Sequence, residues 1–135
     1  MSRAAAIYCR ISRDRVGAGL GVQRQEADCR ELAVALGWTV VAVHVDNDIS
    51  AYSGKARPGY KALVEDLASG QCDAVLAWHT DRLHRSPAEL ETYIGVCERA
   101  GVPTHCVKAG PLDLTSASGR MTARITGAVA RHEVE

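Results

Sequence analysis

The chain is 135 residues long, the size of one domain with a single core, and 47% apolar with 24% charged residues describes an ordinary soluble globular protein rather than a disordered or membrane-embedded one. Lys plus Arg sum to 16 and Asp plus Glu to 16, and a formal net charge of zero argues against a stand-alone nucleic-acid-binding domain, which carries a basic excess to displace counterions from phosphates. Arginine dominates the basic set, with only Lys55, Lys61 and Lys108 as lysines; its planar fork suits bidentate phosphate or carboxylate contacts, so where the arginines fall matters more than their total.

In chain order, Ala4 to Cys9 (AAAIYC) reads as a buried strand, followed by a polar, arginine-rich loop over 10–20. Val22, Cys29, Leu32, Ala33 and Leu36 form a helical stripe closed by Gly37. Thr39 to Val45 (TVVAVHV) is β-branched and strand-like, and the polar stretch 48–59 is expected to be a long loop. Tyr60, Leu63, Val64 and Leu67 mark a second helix ending at Ser69 and Gly70, and Ala74 to Trp78 a third strand. Ser86-Pro87-Ala88-Glu89 combines an N-cap serine, a first-position proline and a capping-box glutamate at the start of a helix through Leu90, Tyr93, Ile94 and Cys97. Pro103 to Lys108 is a fourth strand, and Ser118 is the expected cap of a last helix with Met121, Ile125, Ala128, Val129 and His132 on one face.

Alternating strands and helices predict an α/β fold, a mostly parallel central sheet of four to five strands flanked by helices. Residues 1–117 are expected to form this domain and 118–135 the start of a long helix, with the chain as the first domain of a larger protein. The five cysteines Cys9, Cys29, Cys72, Cys97 and Cys106 have no CxxC spacing, and reduced, packed thiols in a cytoplasmic protein are expected. No signal-peptide pattern, membrane-length apolar run or Cys/His ligand cluster is present in the sequence, so no metal is expected.

Sites of open α/β sheets lie beyond the carboxyl ends of the strands, which directs attention to the loops after Cys9, Asp46 and Trp78. Those loops hold Arg10, Ser12, Arg13 and Arg15, then Lys55 and Arg57, then Asp81, Arg82 and Arg85. Arginines converging from separate loops make an anionic site that suits a phosphodiester. Ser12 is two residues from Arg10, on the same side of an extended segment, and arginines could stabilise its alkoxide character and the charge of a phosphoryl transition state.

Tyr8-Cys9-Arg10-Ile11-Ser12 resembles the Tyr-x-Arg-x-Ser signature of serine recombinases, the resolvase/invertase family with its large integrase and transposase members. The GVQRQEADCREL segment around Gln25 resembles the first helix of that family, VDNDISAYSGKARPGY its mobile-loop region, and Asp81-Arg82-Leu83-His84-Arg85-Ser86 its Asp-Arg-Leu-x-Arg-Ser motif. Gly119-Arg120-Met121, followed by Ala128, Ala130 and Glu133, looks like the start of the long helix that leaves the domain. Position 21 is Gly where the family often has Ser, a better N-cap for the first helix. Position 84 is His where smaller relatives commonly have Gly, and this, with the RPGY run and the ISAYSG loop, tilts the resemblance toward a large integrase or a phage or mobile-element recombinase.

The resemblance implies site-specific DNA cleavage and rejoining through a 5′-phosphoserine on Ser12, with Arg10, Arg57, Arg82 and Arg85 on the scissile phosphate. Asp81 would orient the arginines or assist proton transfer, and Tyr8, Gln25 and Asp46 would support the site. Arg13, Lys55, Arg120 and Arg124 are the expected DNA contacts. The implied partners are DNA attachment sites and further copies of the chain, a dimer at each site and a tetramer at synapsis; a covalent phosphoserine conserves bond energy, so no cofactor is implied. Two alternatives stand beside this reading. One is a non-catalytic assembly or regulatory module of the same fold. The other uses the C-x5-R spacing of Cys9 and Arg15, which fits the phosphate loop of tyrosine phosphatases, although RISRD has no glycine and Val16 stands where Ser or Thr is usual.

Overall fold

The computed structural model describes residues 3–10, 18–46, 58–79, 87–108, 110–112, 114 and 116–134. In chain order its elements are β1 (Ala4–Arg10), α1 (Ala18–Leu36), β2 (Thr39–Asp46), α2 (Pro58–Ser69), β3 (Ala74–Ala77), α3 (Pro87–Ala100), β4 (Thr104–Cys106), β5 (Gly110–Leu112) and α4 (Ala117–Val134). One five-stranded sheet has the order β2-β1-β3-β4-β5. The first four strands are parallel, and β5 returns antiparallel to β4.

Strand order and handedness together fix which face each helix covers. Right-handed crossovers place a helix on opposite faces when the chain steps in opposite directions along a sheet. The step from β1 to β2 goes one way and those from β2 to β3 and β3 to β4 the other, so α1 lies alone on one face while α2 and α3 share the second. The sheet is therefore buried on both sides in its centre, which is why β1 reads as an unbroken apolar run. Ala5, Ile7 and Cys9 pack with Cys29 and Ala33 of α1; Ala6 and Tyr8 pack with Tyr60, Leu63, Leu67, Tyr93 and Cys97 on the other face. On β2 the register slips by one residue, Ala5 facing Val40 and Ala6 facing Ala42, which leaves Val41 as a bulged, exposed residue on the edge strand.

Helix punctuation follows local chemistry. Both α2 and α3 begin on a proline, whose fixed φ suits the first turn and whose missing N–H would have no helical partner there. At the end of α1, Gly37 sits at φ 73°, with its N–H on the Val34 carbonyl and the Trp38 N–H on that of Ala33, a pair of bonds that satisfies the last carbonyls and turns the chain into β2. Gly70 does the same after α2.

One expectation changes, and two features are added that the sequence left open. Helix α4 starts at Ala117, and its cap is Ser116, whose Oγ accepts the Gly119 N–H at 3.0 Å, rather than Ser118; a cap side chain reaches the N–H three residues on, and from Ser116 that residue is Gly119. The apolar stripe of α4 does not face the domain where its side chains are described: Ala123 is buried, while Met121 and Ile125 are 59% and 58% exposed. Strand β5 completes the expected four to five strands at a place the sequence reads as polar loop, because a three-residue Gly-Pro-Leu segment carries turn residues and stands only as an edge strand paired to β4. The expected cap Ser86 lies outside the described residues. All five cysteines are buried free thiols, and among the described residues no helix is long and apolar enough to cross a membrane.

Candidate active site

Strand order 2-1-3-4 reverses direction between β1 and β3, and in such sheets the crevice outside the carboxyl ends at that reversal is the usual ligand site. Register puts Arg10 at the end of β1 opposite Asp46 at the end of β2, and Tyr8 opposite Ala77 at the end of β3. The three strand ends that precede the arginine-bearing segments therefore lie side by side. Of the sequence-predicted residues, Tyr8, Arg10, Gln25, Asp46, Arg120 and Arg124 are described; Ser12, Arg13, Lys55, Arg57, Asp81, Arg82 and Arg85 lie outside the described residues, as does His84.

Asp46 is the best-connected of these. Only 2% exposed, its carboxylate accepts the Tyr8 hydroxyl at 2.6 Å, the Gly59 N–H at 2.8 Å and the Tyr60 N–H at 2.8 Å. The last two belong to the first turn of α2, where backbone N–H groups have no helical partner, so Asp46 caps the helix from the end of β2. A negative charge at a helix N-terminus is favoured by the dipole as well. Gly59 is required by this arrangement: a Cβ there would meet the Val45 carbonyl oxygen at 2.9 Å and the Asp46 carboxyl at 3.0 Å. The consequence is positional. The start of α2, one bond past Arg57, is fixed to the end of β2 and through Tyr8 to β1.

Gln25 performs a matching task on β1. Its Oε1 accepts the Arg10 N–H at 3.2 Å and its Nε2 donates to the Arg10 carbonyl at 3.1 Å. One buried amide thus satisfies both backbone groups of the last residue of β1, where the sheet ladder ends. Arg10 itself is 4% exposed, and strand alternation places it on the same face as Tyr8. A guanidinium this buried is a costly group to hold without a role or partners, which marks the position as built rather than incidental.

Arg120 and Arg124 lie on α4 and meet carboxylates of α3. Arg124 grips Glu91 in a bidentate pair at 2.7 and 2.8 Å, and Arg120 Nε lies 3.6 Å from Glu98. The hydrogen bond from Arg124 lowers the Glu91 carboxyl below its ordinary value, on an exposed surface where such pairs are weak. Cys9, the nucleophile of the phosphatase alternative, is fully buried against α1, and burial with the nearby Glu26 charge pushes its thiol up to about 12. A phosphatase cysteine needs the opposite shift, so this geometry speaks against Cys9 as a nucleophile.

Sequence reasoning missed two residues at the same edge. Trp78, just past β3, donates its indole N–H to Asp28 of α1 at 3.1 Å, and the Lys108 ammonium stands 5.3 Å from the centre of its ring. The signal available was the spacing of Asp28 three residues after Gln25, on the same face of α1. A shallow, half-open hollow of about 270 Å³ lined by Ala68, Val96, Arg99 and Ala100 lies by the C-terminal ends of α2 and α3, away from the carboxyl ends of the strands. Among the described residues no group of three or more His, Cys, Asp or Glu could hold a metal ion.

Residues 5–135 match the family model described as resolvase, N terminal domain. The chain is 30% identical over 133 residues to the transposon Tn2501 resolvase of Escherichia coli and 27% identical over 143 residues to the serine recombinase PinR of Escherichia coli K12. Both matches cover 98% of this chain, but the chain spans only 64% and 63% of the lengths of those relatives. Among solved structures, the N-terminal catalytic domain of TP901-1 integrase superimposes with a TM-score of 0.76 at 26% identity, covering 97% of this chain and 96% of that one. A resolvase family site-specific recombinase from Streptococcus pneumoniae shares the fold, with a TM-score of 0.75 at 19% identity, 98% of this chain and 91% of that one being covered.

Proposed function

The chain belongs to the resolvase N-terminal domain family, and from that membership we propose that it is the catalytic domain of a site-specific DNA recombinase that cuts and rejoins strands through Ser12. The observation that carries the reading is the meeting of the β1, β2 and β3 ends at one edge, each preceding a segment that supplies part of the serine and arginine set. In the proposed step the Ser12 Oγ forms a bond to phosphorus as the bond from phosphorus to the DNA 3′-oxygen breaks. The serine proton leaves, and a proton arrives on the departing oxygen; Asp81 orients the arginines or assists that transfer. Arg10, Arg57, Arg82 and Arg85 balance the charge spread over the nonbridging oxygens. Attack of a free 3′-hydroxyl on the phosphoserine reverses the step on a new partner strand, and because one phosphodiester replaces another the chemistry calls for neither ATP nor another cofactor.

Strand exchange between two duplexes requires more than one copy, a dimer at each site and a tetramer when sites are paired. The exposed Met121 and Ile125 of α4 are an apolar surface suited to a second copy. Arg13, Lys55, Arg120 and Arg124 are proposed DNA contacts, and the DNA would be cytoplasmic.

The test uses DNA whose sequence need not be known. The intact protein is incubated with a pool of randomised duplexes, and DNA that stays attached through SDS is recovered and sequenced. Adducts that Ser12→Ala abolishes and Cys9→Ser leaves unchanged are the expected result. Adducts that persist in Ser12→Ala would overturn the mechanism, and a protein that retains no DNA through SDS would favour the non-catalytic assembly module.

A further inference from the structure

One turn of α1 touches the ends of two strands. Gln25 brackets the backbone of Arg10 at the end of β1, and Asp28, three residues on and therefore on the same face, accepts the Trp78 indole N–H at the end of β3. Trp78 is also held from the other side: its carbonyl accepts the Lys108 N–H at 2.9 Å, the Ala77 carbonyl accepts that of Val107 at 2.9 Å, and the Lys108 ammonium lies over its ring. The indole is only half-buried, so a phenylalanine would serve the same packing. What the tryptophan adds is a directional, charge-assisted hydrogen bond to a carboxylate.

We propose that Asp28 and Trp78 are positioning residues that tie the exit of β3 to the turn of α1 that also holds the end of β1, so that the chain continues toward Asp81, Arg82 and Arg85, and toward Ser12, from two strand ends fixed to one another. The catalytic consequence rests on the function proposed above. Asp81 follows Trp78 by three residues and Ser12 follows Arg10 by two, so a shift at either strand end reaches the reacting groups through few bonds. Phosphoryl transfer depends on relative placement, and a misplacement of about 1 Å can cost about a hundredfold in rate. The same helix turn holds both strand ends, so the ends share one reference point on α1.

The variants separate the bond from the packing. Trp78→Phe keeps a ring beneath Lys108 and deletes the N–H; Asp28→Ala deletes the acceptor; Asp28→Asn retains one. Single-turnover adduct formation is followed in the intact protein against the concentration of a duplex recovered by the Ser12-dependent selection. Trp78→Phe and Asp28→Ala are expected to lower the limiting rate by about tenfold or more, with half-saturating DNA within about twofold of the parent, and Asp28→Asn to restore the rate to within about threefold. Parental limiting rates in both deletion variants overturn the inference while leaving the proposed function standing. So does a loss that Asp28→Asn shares in full.

Amide hydrogen exchange supplies a second measurement that needs no DNA. Peptides covering 74–79 should exchange faster in Asp28→Ala and Trp78→Phe than in the parent, with peptides within α3 unchanged. Equal exchange at 74–79, or acceleration throughout the chain, overturns the inference. If the parent forms no adduct, the proposed function fails by itself, and exchange alone decides whether Asp28 fixes the β3 exit.

Discussion

Replacing Asp46 tests the junction between β2 and α2. In Asp46→Ala three donors lose their acceptor: the Tyr8 hydroxyl and the Tyr60 N–H, both buried, and the partly buried Gly59 N–H. A buried donor left unmade costs about 1–3 kcal/mol, and water can reach only the least buried of the three. Removing a buried carboxylate also relieves its desolvation, so the net loss should be about 3–5 kcal/mol, a large part of the roughly 5–15 kcal/mol that holds a domain together. Asp46→Asn keeps the shape but turns one acceptor into a donor, facing the Gly59 N–H in place of Oδ1 or both the Tyr60 N–H and the Tyr8 hydroxyl in place of Oδ2, and about 1–3 kcal/mol is expected. Urea unfolding followed by far-ultraviolet circular dichroism reads this directly. With a slope of about 1–3 kcal/mol per M, a 3 kcal/mol loss moves the midpoint by about 1–3 M. Tyr8→Phe combined with Asp46→Asn should show a coupling of about 1 kcal/mol, since each removes part of the same bond. A change below about 0.5 kcal/mol in Asp46→Asn would refute the reading of Asp46 as the cap of α2, and strict additivity with Tyr8→Phe would refute its bond to the Tyr8 hydroxyl.

Gln25→Leu should cost about 2–4 kcal/mol in the same assay, because it strands both backbone groups of Arg10 at a buried strand end; near-parental stability would show that water satisfies them. Gly59→Ala is expected to destabilise by about 1–3 kcal/mol, since the added methyl meets a backbone carbonyl at 2.9 Å and cannot turn away from it; an unchanged midpoint would mean that α2 shifts freely. The buried thiols predict alkaline sensitivity. Burial pushes Cys9 up to about 12 and Cys72 and Cys97 up to about 11, from an ordinary value near 9. Above pH 9 the unfolded chain sheds thiol protons that the folded chain keeps, so stability is fully present below about pH 9 and falls as pH rises toward 11–12. Unfolding midpoints that rise over that range, or native thiols that react with iodoacetamide at pH 8 as fast as unfolded ones, would contradict the burial.

Much of the architecture is legible in the residues themselves. An apolar run such as AAAIYC has no polar face, so it must be a strand covered on both sides, and β1 is the buried centre of the sheet. The stripe of Leu90, Tyr93, Ile94 and Cys97 behind a Pro87 start could only bury itself as a helix, which α3 does. The rule that sites lie beyond the carboxyl ends of strands directs attention to the loop that opens at Arg10, whereas Tyr8, Gln25 and Asp46 are named as supporting residues only through the resemblance to serine recombinases. What spacing could not give was their partners. Hydrogen bonds between residues 38 or 50 positions apart, Tyr8 with Asp46 and Asp28 with Trp78, depend on strand order and on which face each helix covers. Those are properties of the packed chain, decided when right-handed crossovers send α1 to one face and α2 and α3 to the other. The outward turn of Met121 and Ile125 was decided in the same way, since an amphipathic stripe specifies that a face wants cover without specifying what covers it. The equal count of 16 basic and 16 acidic residues told only that no net field gathers DNA; where Asp46, Glu91 and Asp28 spend their charge, on a helix start, an arginine and an indole, is written in the tertiary structure.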